Sequence, residues 1–595
     1  MTARLLTAEE VALQLGIELD TLYRYARSGR IRGLKIGNLW RFYEADVDAF
    51  IQSRRYQPSG APPSNVALLT EVLTTGGPRR GGVVCGALRH GYEELDRSAT
   101  RLAAALRRDG VAAGDRVVVI LPTCSEFLVA CFAIWKLGAI AVPEFVGIRP
   151  PNLRHMLADA RPSALIVDDP VAQRIDELRA ELPLDGVRAI LIKDATFTLS
   201  GLESVAVHAL NELLDDAALE KGFKPVHARP DQVVLLNYTS GSTGTPKGVM
   251  HTHESVLAGA EFTRRFHAVG PADSIVIPLP LHHGLAFRQL FAYALSDATI
   301  ILATDIYQAL RLLKDYHPTA LVLVPAAANL VLDHFAAVLG EASRHLRYVE
   351  VGSAAFAPER LARFRELLPH TKVHLPYGLT EARVGFLERG SEGAYNRIAT
   401  VATGLELFVI DADGQRVASG QTGNIVLRGQ GLMLGYWGQS GEHFEHYKAN
   451  GFATGDLGRL MPDGSVELLG RMDDMLKIGG RKVNPTEVEA ALARHPAVAD
   501  SAVAAVSDPN GVFETQLHAF VVLHRGAAAT EEELLSFARQ QIEPYKLPGK
   551  IHFRTSLPKS AVGKILRSEL ARERAAASVT PVSGTRNSQE EEGQR

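Results

Sequence analysis

The sequence predicts a multidomain protein in which a small, mainly α-helical unit precedes a large α/β unit. The chain of 595 residues is long enough for several hydrophobic cores, since one domain commonly takes roughly 150 residues. Sequence patterns typical of helices occur throughout its N-terminal part. A segment rich in proline, serine and glycine follows at 54–65 and is typical of a linker between domains. From about residue 88 onward, helical stretches alternate with short apolar runs, which is typical of parallel sheets covered by helices.

The overall composition has no global excess of basic residues. Hydrophobic residues make up 46% of the chain, charged residues make up 22%, and the formal net charge is −3. This balance excludes a protein whose whole surface binds nucleic acid, so any contact with DNA has to be local. The cysteines Cys85, Cys124 and Cys131 form no CxxC pair. We therefore expect neither a disulfide framework nor a cysteine-rich zinc site, and a reducing, cytoplasmic setting fits.

No export signal and no membrane span is expected. Glu9 and Glu10 lie where a signal peptide would be basic and then apolar. The longest apolar run starts at Phe127, is interrupted by Lys136 and ends in Pro143, which leaves it short of a transmembrane helix. We expect a buried helix followed by a strand in this run.

Residues 7–53 have the pattern of a compact unit of helix, turn, helix, hairpin and helix. The segment TAEE at Thr7–Glu10 is a capping-box pattern that begins the first helix. Asp20 can cap a second helix, LKIGNLWRF predicts two strands around a Gly-Asn turn, and EADVDAFIQ predicts a third helix. The candidate DNA-binding residues, on the outward face of the second helix and on the hairpin, are Thr21, Arg24, Arg27 and Arg41.

This pattern resembles the winged helix-turn-helix of the excisionase and MerR-like families over nearly the whole unit. The resemblance implies that the second helix enters the major groove of DNA and that the hairpin contacts the backbone or the minor groove. Every charged residue from Thr21 to Arg41 is basic, which gives a local anion-binding face. The alternative is a solvated basic face used for protein contacts. A unit of this type usually needs a second copy for specific binding, so a homodimer is one candidate assembly.

A second segment suited to phosphates is YTSGSTGTPKGV, at Tyr238–Val249. It is not a Walker A loop, but its glycines allow close backbone approach, and its N–H groups, hydroxyls and lysine can bind a polyphosphate. The segment resembles the phosphate-binding signature of the adenylate-forming superfamily, which contains acyl-CoA synthetases, carrier-protein adenylation domains and luciferases. The predicted ATP-binding residues in it are Thr239, Ser240, Gly241, Ser242, Thr243, Gly244 and Lys247.

Further motifs of this superfamily follow in the family's order. The segment YGLTEA begins at Tyr377, and FATGDLG contains Asp456. The resemblance implies that Tyr377 and Gly378 form the adenine site, that Thr380 contacts the α-phosphate and that Asp456 accepts the ribose hydroxyls. It also implies that Glu381 helps to hold Mg²⁺, a role that suits a carboxylate.

The remaining motifs lie toward the C-terminus. The resemblance places Arg471 near the ribose and phosphates, Asp473 at the hinge of a rotating domain and Lys564 between the substrate carboxylate and the α-phosphate. It also implies that the loop KIGGRK leaves room for a pantetheine arm. The predicted tunnel residues of that loop are Lys477, Gly479 and Gly480.

Three segments depart from the family pattern. In LPLHHGLAF, either His282 or His283 can be the gate of the acyl site. The usual GGAPL reads GSAAF here, and its predicted nucleotide-binding residues are Gly352, Ser353 and Ala354. Arg383 follows YGLTEA, where small residues are common. It can pair with a second anionic or polar group on the substrate, or it can form a surface ion pair.

The resemblance covers about Tyr92 to Leu570. It implies a large α/β adenylate-forming domain at 67–472 and a small, mobile α+β domain at 473–574. The helix-turn-helix would occupy 1–55, a linker 56–66 and a disordered tail 575–595.

The function that the resemblance implies is that of an acid–thiol ligase with ATP, Mg²⁺ and CoA. A carboxylic acid would become an acyl adenylate and then a thioester, and the N-terminal unit would tether this enzyme to DNA or couple it to transcription. One alternative acceptor is the phosphopantetheine of a carrier protein. An alternative of another class is a DNA-binding transcription regulator that senses acyl-AMP or acyl-CoA.

Overall fold

The computed structural model describes most of the chain, at some positions by the backbone alone. The described residues are 5–15, 19, 22–23, 26, 31, 33–36, 39–43, 47, 66–75, 79–196, 199, 204–240, 246–353, 356, 358–388, 397–402, 404–439, 441–472, 476–478, 481–507, 515–542, 544–559 and 565–578. The chain divides into two compact units, Met1–Leu469 and Gly470–Arg595.

The first unit begins with β1 (Leu5–Thr7), α1 (Ala8–Leu15), β2 (Leu34–Ile36) and β3 (Leu39–Tyr43). The predicted capping box is present: the Thr7 N–H donates to Glu10 Oε2 at 2.8 Å, and the Glu10 N–H donates to Thr7 Oγ1 at 3.1 Å. Strands β2 and β3 pair where the hairpin is predicted, and β1 pairs with the other edge of β3. The use of this hairpin as a DNA-contacting wing stays a prediction.

The first unit continues with alternating strands and helices. Its further strands are β4 (Gly82–Cys85), β5 (Leu88–Gly91), β6 (Arg116–Ile120), β7 (Ile140–Pro143), β8 (Ala164–Val167), β9 (Ala189–Ile192), β10 (Ala206–Ala209), β11 (Val233–Ser240), β12 (Pro246–Thr252), β13 (Ser274–Ile277), β14 (Thr299–Leu302), β15 (Ala320–Leu323), β16 (Tyr348–Val351), β17 (Lys372–Gly378), β18 (Arg383–Glu388), β19 (Arg397–Val401), β20 (Leu405–Ile410), β21 (Thr422–Gly429), β22 (Gly435–Tyr436), β23 (Phe452–Leu460) and β24 (Val466–Arg471), which runs into the second unit.

The helices of this part cover the sheets. They are α2 (Tyr92–Arg108), α3 (Ser125–Lys136), α4 (Pro150–Ala160), α5 (Asp169–Leu178), α6 (Leu210–Asp215), α7 (His253–Phe266), α8 (Gly284–Leu295), α9 (Ile306–Tyr316), α10 (Pro325–His334), α11 (Ala336–Ala342), α12 (Pro358–Leu367) and α13 (Gly441–Asn450), with short 3-10 turns at Leu69–Glu71, Arg179–Glu181 and Ala217–Glu220.

Two large sheets organise these elements. One sheet has the order β10-β9-β8-β6-β7-β11-β12-β22, and its strands from β10 to β11 are parallel, as predicted from the alternation of helices and strands. The other has the order β20-β21-β23-β24-β19-β18-β17-β16-β15-β13-β14-β4-β5. Strands β13 to β17 in it are parallel, so their carboxyl ends meet at one edge, where ligands of α/β folds bind.

The main core lies around α3 and α8. Phe132 and Trp135 of α3 contact Phe291 of α8 at ring-centroid distances of 6.0 and 5.7 Å. The predicted buried helix and strand in the apolar run are therefore confirmed as α3 and β7. Within the described part of the chain, no helix combines the length and apolarity that a membrane crossing needs.

The second unit is a small α+β domain. Its elements after β24 are β25 (Leu476–Ile478), β26 (Arg481–Val483), α14 (Pro485–Ala493), β27 (Val498–Ser507), β28 (Thr515–Leu523), α15 (Glu531–Arg539), the 3-10 turn Pro544–Lys546, β29 (Lys550–Phe553) and α16 (Arg567–Ser578). Strands β27, β28 and β29 form one sheet. Helix α16 extends beyond residue 574, where the sequence predicts the start of a disordered tail, and residues 579–595 lie outside the described residues.

Candidate active site

The predicted phosphate segment is a β-hairpin of two long strands. Strands β11 and β12 pair antiparallel with Thr239 opposite Lys247 and Ser240 opposite Pro246, so residues 241–245 connect them. The hairpin therefore brings Thr239 and Lys247 side by side. Four predicted members of the loop lie outside the described residues: Gly241, Ser242, Thr243 and Gly244.

Lys247 is exposed at the start of β12 and lies near an aromatic ring. Its Nζ is 5.5 Å from the centroid of the Tyr436 ring, within the range of a cation–π contact. Tyr436 is on β22, where it pairs with Val249 of β12. The lysine is thus beside a fixed tyrosine and has its charge available to an anion.

Glu381 and Thr380 form the turn between β17 and β18. The Tyr436 hydroxyl donates to Glu381 Oε1 at 2.8 Å, and the Met433 N–H donates to the Glu381 carbonyl at 2.8 Å. The carbonyl of Thr380 accepts from Nε2 of the buried His251 at 2.8 Å. These contacts hold the turn against β12 and β22, so the predicted phosphate and metal residues belong to one site.

Tyr436 is a further candidate site residue that the sequence motifs did not indicate. Its ring lies beside Lys247, and its hydroxyl donates to Glu381. The sequence signal that contains it is the segment GQGLMLGYW, in which Tyr436 is the only tyrosine.

The predicted adenine and ribose residues also meet. The Tyr377 hydroxyl donates to Asp456 Oδ2 at 2.5 Å, and both side chains are buried. The Asp456 N–H donates to Thr454 Oγ1 at 3.0 Å, which orients the carboxylate-bearing strand β23. Gly378, the last residue of β17, is exposed next to this pair. The carboxylate thus lies at the end of β17, whose following turn carries Glu381.

The segment GSAAF begins at the carboxyl end of β16. A Cβ placed on Gly352 would lie 2.5 Å from Cγ of Pro376, so only glycine fits against β17 there. Ser353 has φ +76°, a left-handed conformation that glycine adopts freely and other residues adopt at a cost. This strain lies at the position where the usual family pattern has its second glycine. Ala354 lies outside the described residues.

The two candidate gate histidines have different surroundings. The ring of His282 is 5.7 Å from that of Phe145, and burial, together with the nearby His283, lowers the pKa of His282 to about 4. His283 is the N-cap of α8, and its Nδ1 accepts from the Leu285 N–H at 3.3 Å. His283 therefore has a structural task that fixes its ring, and either histidine stays a candidate for the predicted gate.

Several predicted residues are described only in part or lie elsewhere in the fold. Arg383 begins β18, and Lys477 lies in β25; both are described by the backbone alone. Arg471 ends β24 in the second unit, and Arg41 of β3 donates from Nη1 to the Trp40 carbonyl at 3.0 Å. The predicted residues outside the described ones are Thr21, Arg24, Arg27, Asp473, Gly479, Gly480 and Lys564.

The described part of the chain has no cluster of three or more His, Cys, Asp or Glu residues that would hold a metal alone. Glu381 fits Mg²⁺ in another way, because this ion is usually held by one or two carboxylates together with substrate phosphates. Its carboxylate is partly exposed and oriented by the hydroxyl of Tyr436, whose ring lies beside the lysine of the phosphate hairpin. The donor set therefore suits a metal that arrives with a nucleotide.

Comparison with known proteins decides the family. Residues 75–437 match the family model described as AMP-binding enzyme, and residues 487–564 match the model of the AMP-binding enzyme C-terminal domain. The chain belongs to the AMP-binding enzyme family. Residues 5–55 match a helix-turn-helix domain model.

Individual relatives of this AMP-binding enzyme match it over most of its length. It is 29% identical over 554 residues to the long-chain-fatty-acid–CoA ligase of Escherichia coli O157:H7, covering 89% of this chain and 96% of the relative. It is 30% identical over 506 residues to 4-coumarate–CoA ligase 3 of Oryza sativa subsp. japonica, covering 82% and 88%. A solved structure of a benzoate CoA ligase from Burkholderia xenovorans LB400 is similar, with a TM-score of 0.72, 25% identity and coverage of 84% and 98%.

These comparisons confirm two predictions. The fold class is that of a large α/β adenylate-forming domain with a small C-terminal domain, preceded by a helix-turn-helix sequence. The enzyme class is that of an AMP-forming acid–thiol ligase. The roles assigned to single residues stay predictions.

Proposed function

We propose that this enzyme joins a carboxylic acid to CoA in two steps at the edge where β11, β12, β17 and β22 meet. The observation that carries the proposal is the arrangement around Tyr436, whose ring lies beside Lys247 and whose hydroxyl orients Glu381. A cation and a carboxylate held next to a glycine-rich hairpin suit a magnesium-bound polyphosphate.

In the first step, the substrate carboxylate attacks the α-phosphate of ATP, and pyrophosphate leaves. Because both reactants are anions, the step needs positive charge and fixed donors around the phosphates. Lys247 would supply charge from β12, Thr239 and Ser240 would supply donors, and Thr380 would contact the α-phosphate. Mg²⁺, when bound with ATP, would draw phosphate oxygens together and neutralise developing charge.

In the second step, a thiol attacks the carbonyl of the acyl adenylate, and AMP leaves. Following the family resemblance, Lys564 would act in the first step, and rotation at Asp473 would then open a tunnel lined by the Lys477–Lys482 loop. Asp456 would hold the ribose in both steps, since it is buried and hydrogen-bonded to Tyr377.

The experiment is carboxylate-dependent release of pyrophosphate over short, long and aromatic acids, followed by thioester formation with CoA. Wild-type enzyme should release pyrophosphate with a subset of acids, and Lys247→Met should abolish most of this activity. Lys224→Met, at an exposed lysine away from the hairpin, is the matched control and should leave it unchanged. Equal activity of the Lys247→Met and Lys224→Met variants would remove the proposed role of the hairpin lysine.

The acceptor thiol has two candidates with the same pantetheine end. The curated relatives above are named as CoA ligases, which favours CoA. Thioester formation on a holo carrier protein, with none on CoA, would instead show that the phosphopantetheine of a carrier protein is the acceptor.

We further propose that the N-terminal unit binds DNA and thereby tethers the enzyme or couples it to transcription. The match of residues 5–55 to a helix-turn-helix model supports this, as does the basic run from Thr21 to Arg41. DNA binding by the full chain should weaken steeply as salt rises, because released counterions supply much of the affinity. Removal of residues 1–55 should abolish it, and equal binding by both chains would contradict the tether. The mass of the chain on DNA would show whether it binds as a homodimer.

The alternative hypothesis is a transcription regulator whose acyl site senses acyl-AMP or acyl-CoA and does not catalyse their formation. It requires that no acid in a broad panel releases pyrophosphate while acyl-AMP or acyl-CoA changes the affinity for DNA. Robust pyrophosphate release would exclude a sensor that has lost catalysis.

A further inference from the structure

The helix that follows the candidate gate faces the strand that leads to Gly352. Leu285 of α8 has its Cδ2 3.2 Å from where a Cβ on Gly352 would stand, and the Tyr293 hydroxyl is 2.9 Å from the hydroxyl of Tyr348, at the other end of β16. Residues four apart lie on one face of a helix. Gln289, midway between Leu285 and Tyr293, therefore lies on the face of α8 that is turned toward the middle of β16.

The middle of β16 carries a buried charge cluster. Glu350, with no exposed surface, accepts from Arg288 Nη2 at 2.8 Å and from His267 Nε2 at 2.6 Å. The His267 ring stacks on Tyr348 with centroids 3.6 Å apart. Because these groups are buried and paired with each other, an alkyl chain that extended to the middle of β16 would have to displace them.

Gln289 has no such partners. Its side chain is completely buried, and neither its Nε2 nor its Oε1 has a hydrogen-bond partner within the described part of the chain. An unsatisfied buried amide is costly and rare in native proteins, and a leucine would fill the same volume without this cost. An amide kept here, one turn below Leu285 and the candidate gate, indicates a ligand group that it satisfies.

We propose that Gln289 determines specificity by hydrogen-bonding to a substituent on the acyl or aryl group of the substrate. The enzyme then favours a compact acid bearing a hydroxyl or amino group over an unsubstituted acid or a long alkyl acid. This inference rests on the proposed acid–thiol ligase function and adds the class of acid. The amide offers both a donor and an acceptor, so either substituent can be recognised. To reach it, the substrate displaces the side chain of Leu285.

The test compares pyrophosphate release with the three hydroxybenzoates, the three aminobenzoates, benzoate and octanoate. For the wild-type enzyme, the best substituted benzoate should exceed benzoate by about tenfold or more in kcat/KM, because a site built for a polar group rejects analogues that lack it. Octanoate should be the poorest substrate. Release with no acid in the panel would count against the proposed function itself. Release with benzoate or octanoate as the best acid would overturn only the inference about Gln289.

The decisive variant is Gln289→Leu, which keeps the volume and removes the amide. It should lower the ratio of substituted to unsubstituted benzoate toward one while retaining activity on benzoate. The control Gln232→Leu alters a glutamine whose Nε2 donates to the Gly138 carbonyl, and it should keep the wild-type ratio. An unchanged ratio in Gln289→Leu would show a purely structural glutamine and overturn the proposal.

Leu285→Ala provides a second route in case Gln289→Leu does not fold. Shortening the side chain above the amide should admit larger hydroxy acids and preserve the preference for a hydroxyl group. Loss of that preference in Leu285→Ala would also contradict a role for Gln289.

Discussion

Two glutamates of the large unit, Glu381 and Glu350, show how differently one residue type is used at the site edge and beneath it. Glu381 is partly exposed, and a tyrosine hydroxyl is its described side-chain partner. Glu350 is fully buried between an arginine and a histidine. Burial works to raise the pKa of Glu350, yet the charge of Arg288 and the hydrogen bond from His267 lower it to about 2. The carboxylate of Glu381 therefore keeps an exposed surface that a ligand can reach, whereas that of Glu350 is fully paired within the protein.

The largest expected effect is on catalysis, at Glu381. Glu381→Gln should lower kcat for pyrophosphate release by about 100-fold or more, because a metal-binding carboxylate supplies several kcal/mol of charge stabilisation. Its free energy of unfolding should stay within about 0.5 kcal/mol of wild type, since the side chain is partly exposed. Rapid-quench measurement of pyrophosphate checks the rate.

Tyr436→Phe serves as the matched control for that variant. It keeps the ring beside Lys247 and removes one hydrogen bond to the carboxylate, so we expect a loss of about tenfold. A greater loss in Tyr436→Phe than in Glu381→Gln would mean that the tyrosine acts by a route other than orienting Glu381.

In contrast to Glu381→Gln, Glu350→Gln should lower the stability of the fold. It leaves Arg288 buried without its counter-charge, and breaking a buried pair costs about 3–5 kcal/mol of unfolding free energy. Urea unfolding of the large unit at pH 7 measures this. Glu445→Gln, at an exposed glutamate of α13, is the control and should change stability by less than about 0.5 kcal/mol. A loss below about 1 kcal/mol in Glu350→Gln would argue that the cluster is weakly coupled to the fold.

As the pH falls, the free energy of unfolding should decrease through the buried His253 before Glu350 takes up a proton. Burial lowers the pKa of His253 to about 4, below its ordinary value of about 6.5, so the unfolded chain takes up the proton first. Stability from this group is therefore present above pH 6.5 and is lost as the pH falls toward 4, by about 2 kcal/mol between pH 7 and pH 5.

The His253→Gln variant tests this dependence, because glutamine can accept the bond that the Leu69 N–H donates to His253 Nδ1. Its free energy of unfolding should fall by about 2 kcal/mol less than that of wild type over the same pH range. His227→Gln, at an exposed histidine, should keep the wild-type slope. Parallel pH profiles for wild type and His253→Gln would disprove the assignment.

The smallest effect concerns strain at the site edge. Ser353→Gly should raise the free energy of unfolding by up to about 1 kcal/mol, because glycine adopts the left-handed conformation without penalty. This net gain already includes the opposing effect of glycine, which increases the entropy of the unfolded chain. Ser274→Gly, in the extended strand β13, should lower it by about 0.5–1 kcal/mol. If chemical unfolding showed that both substitutions change the free energy of unfolding in the same direction, backbone strain at Ser353 would not be the cause.

Local signals in the sequence predicted local structure well. The Thr7–Glu10 capping box and the buried helix and strand after Phe127 depend on residues within a few positions of each other. The arrangement of the site was harder to predict from the sequence. Tyr436 was missed because its contacts to Lys247 and Glu381 depend on the pairing of β12 with β22, far apart in the chain. The different surroundings of His282 and His283 likewise became visible only with the helix that His283 caps.

The sequence by itself determined the superfamily and its chemistry, because the glycines, hydroxyls, lysines and carboxylates predicted to bind a nucleotide lie in short contiguous motifs. Only the tertiary structure decided which groups share a site and which are buried apart from it. Tyr377 and Asp456 meet across 79 positions, and Arg288 meets Glu350 across 62. Burial and pairing at such separations depend on how the sheets and helices pack. That packing left the amide of Gln289 with no hydrogen-bond partner among the described residues, which is the basis of the proposed substrate specificity.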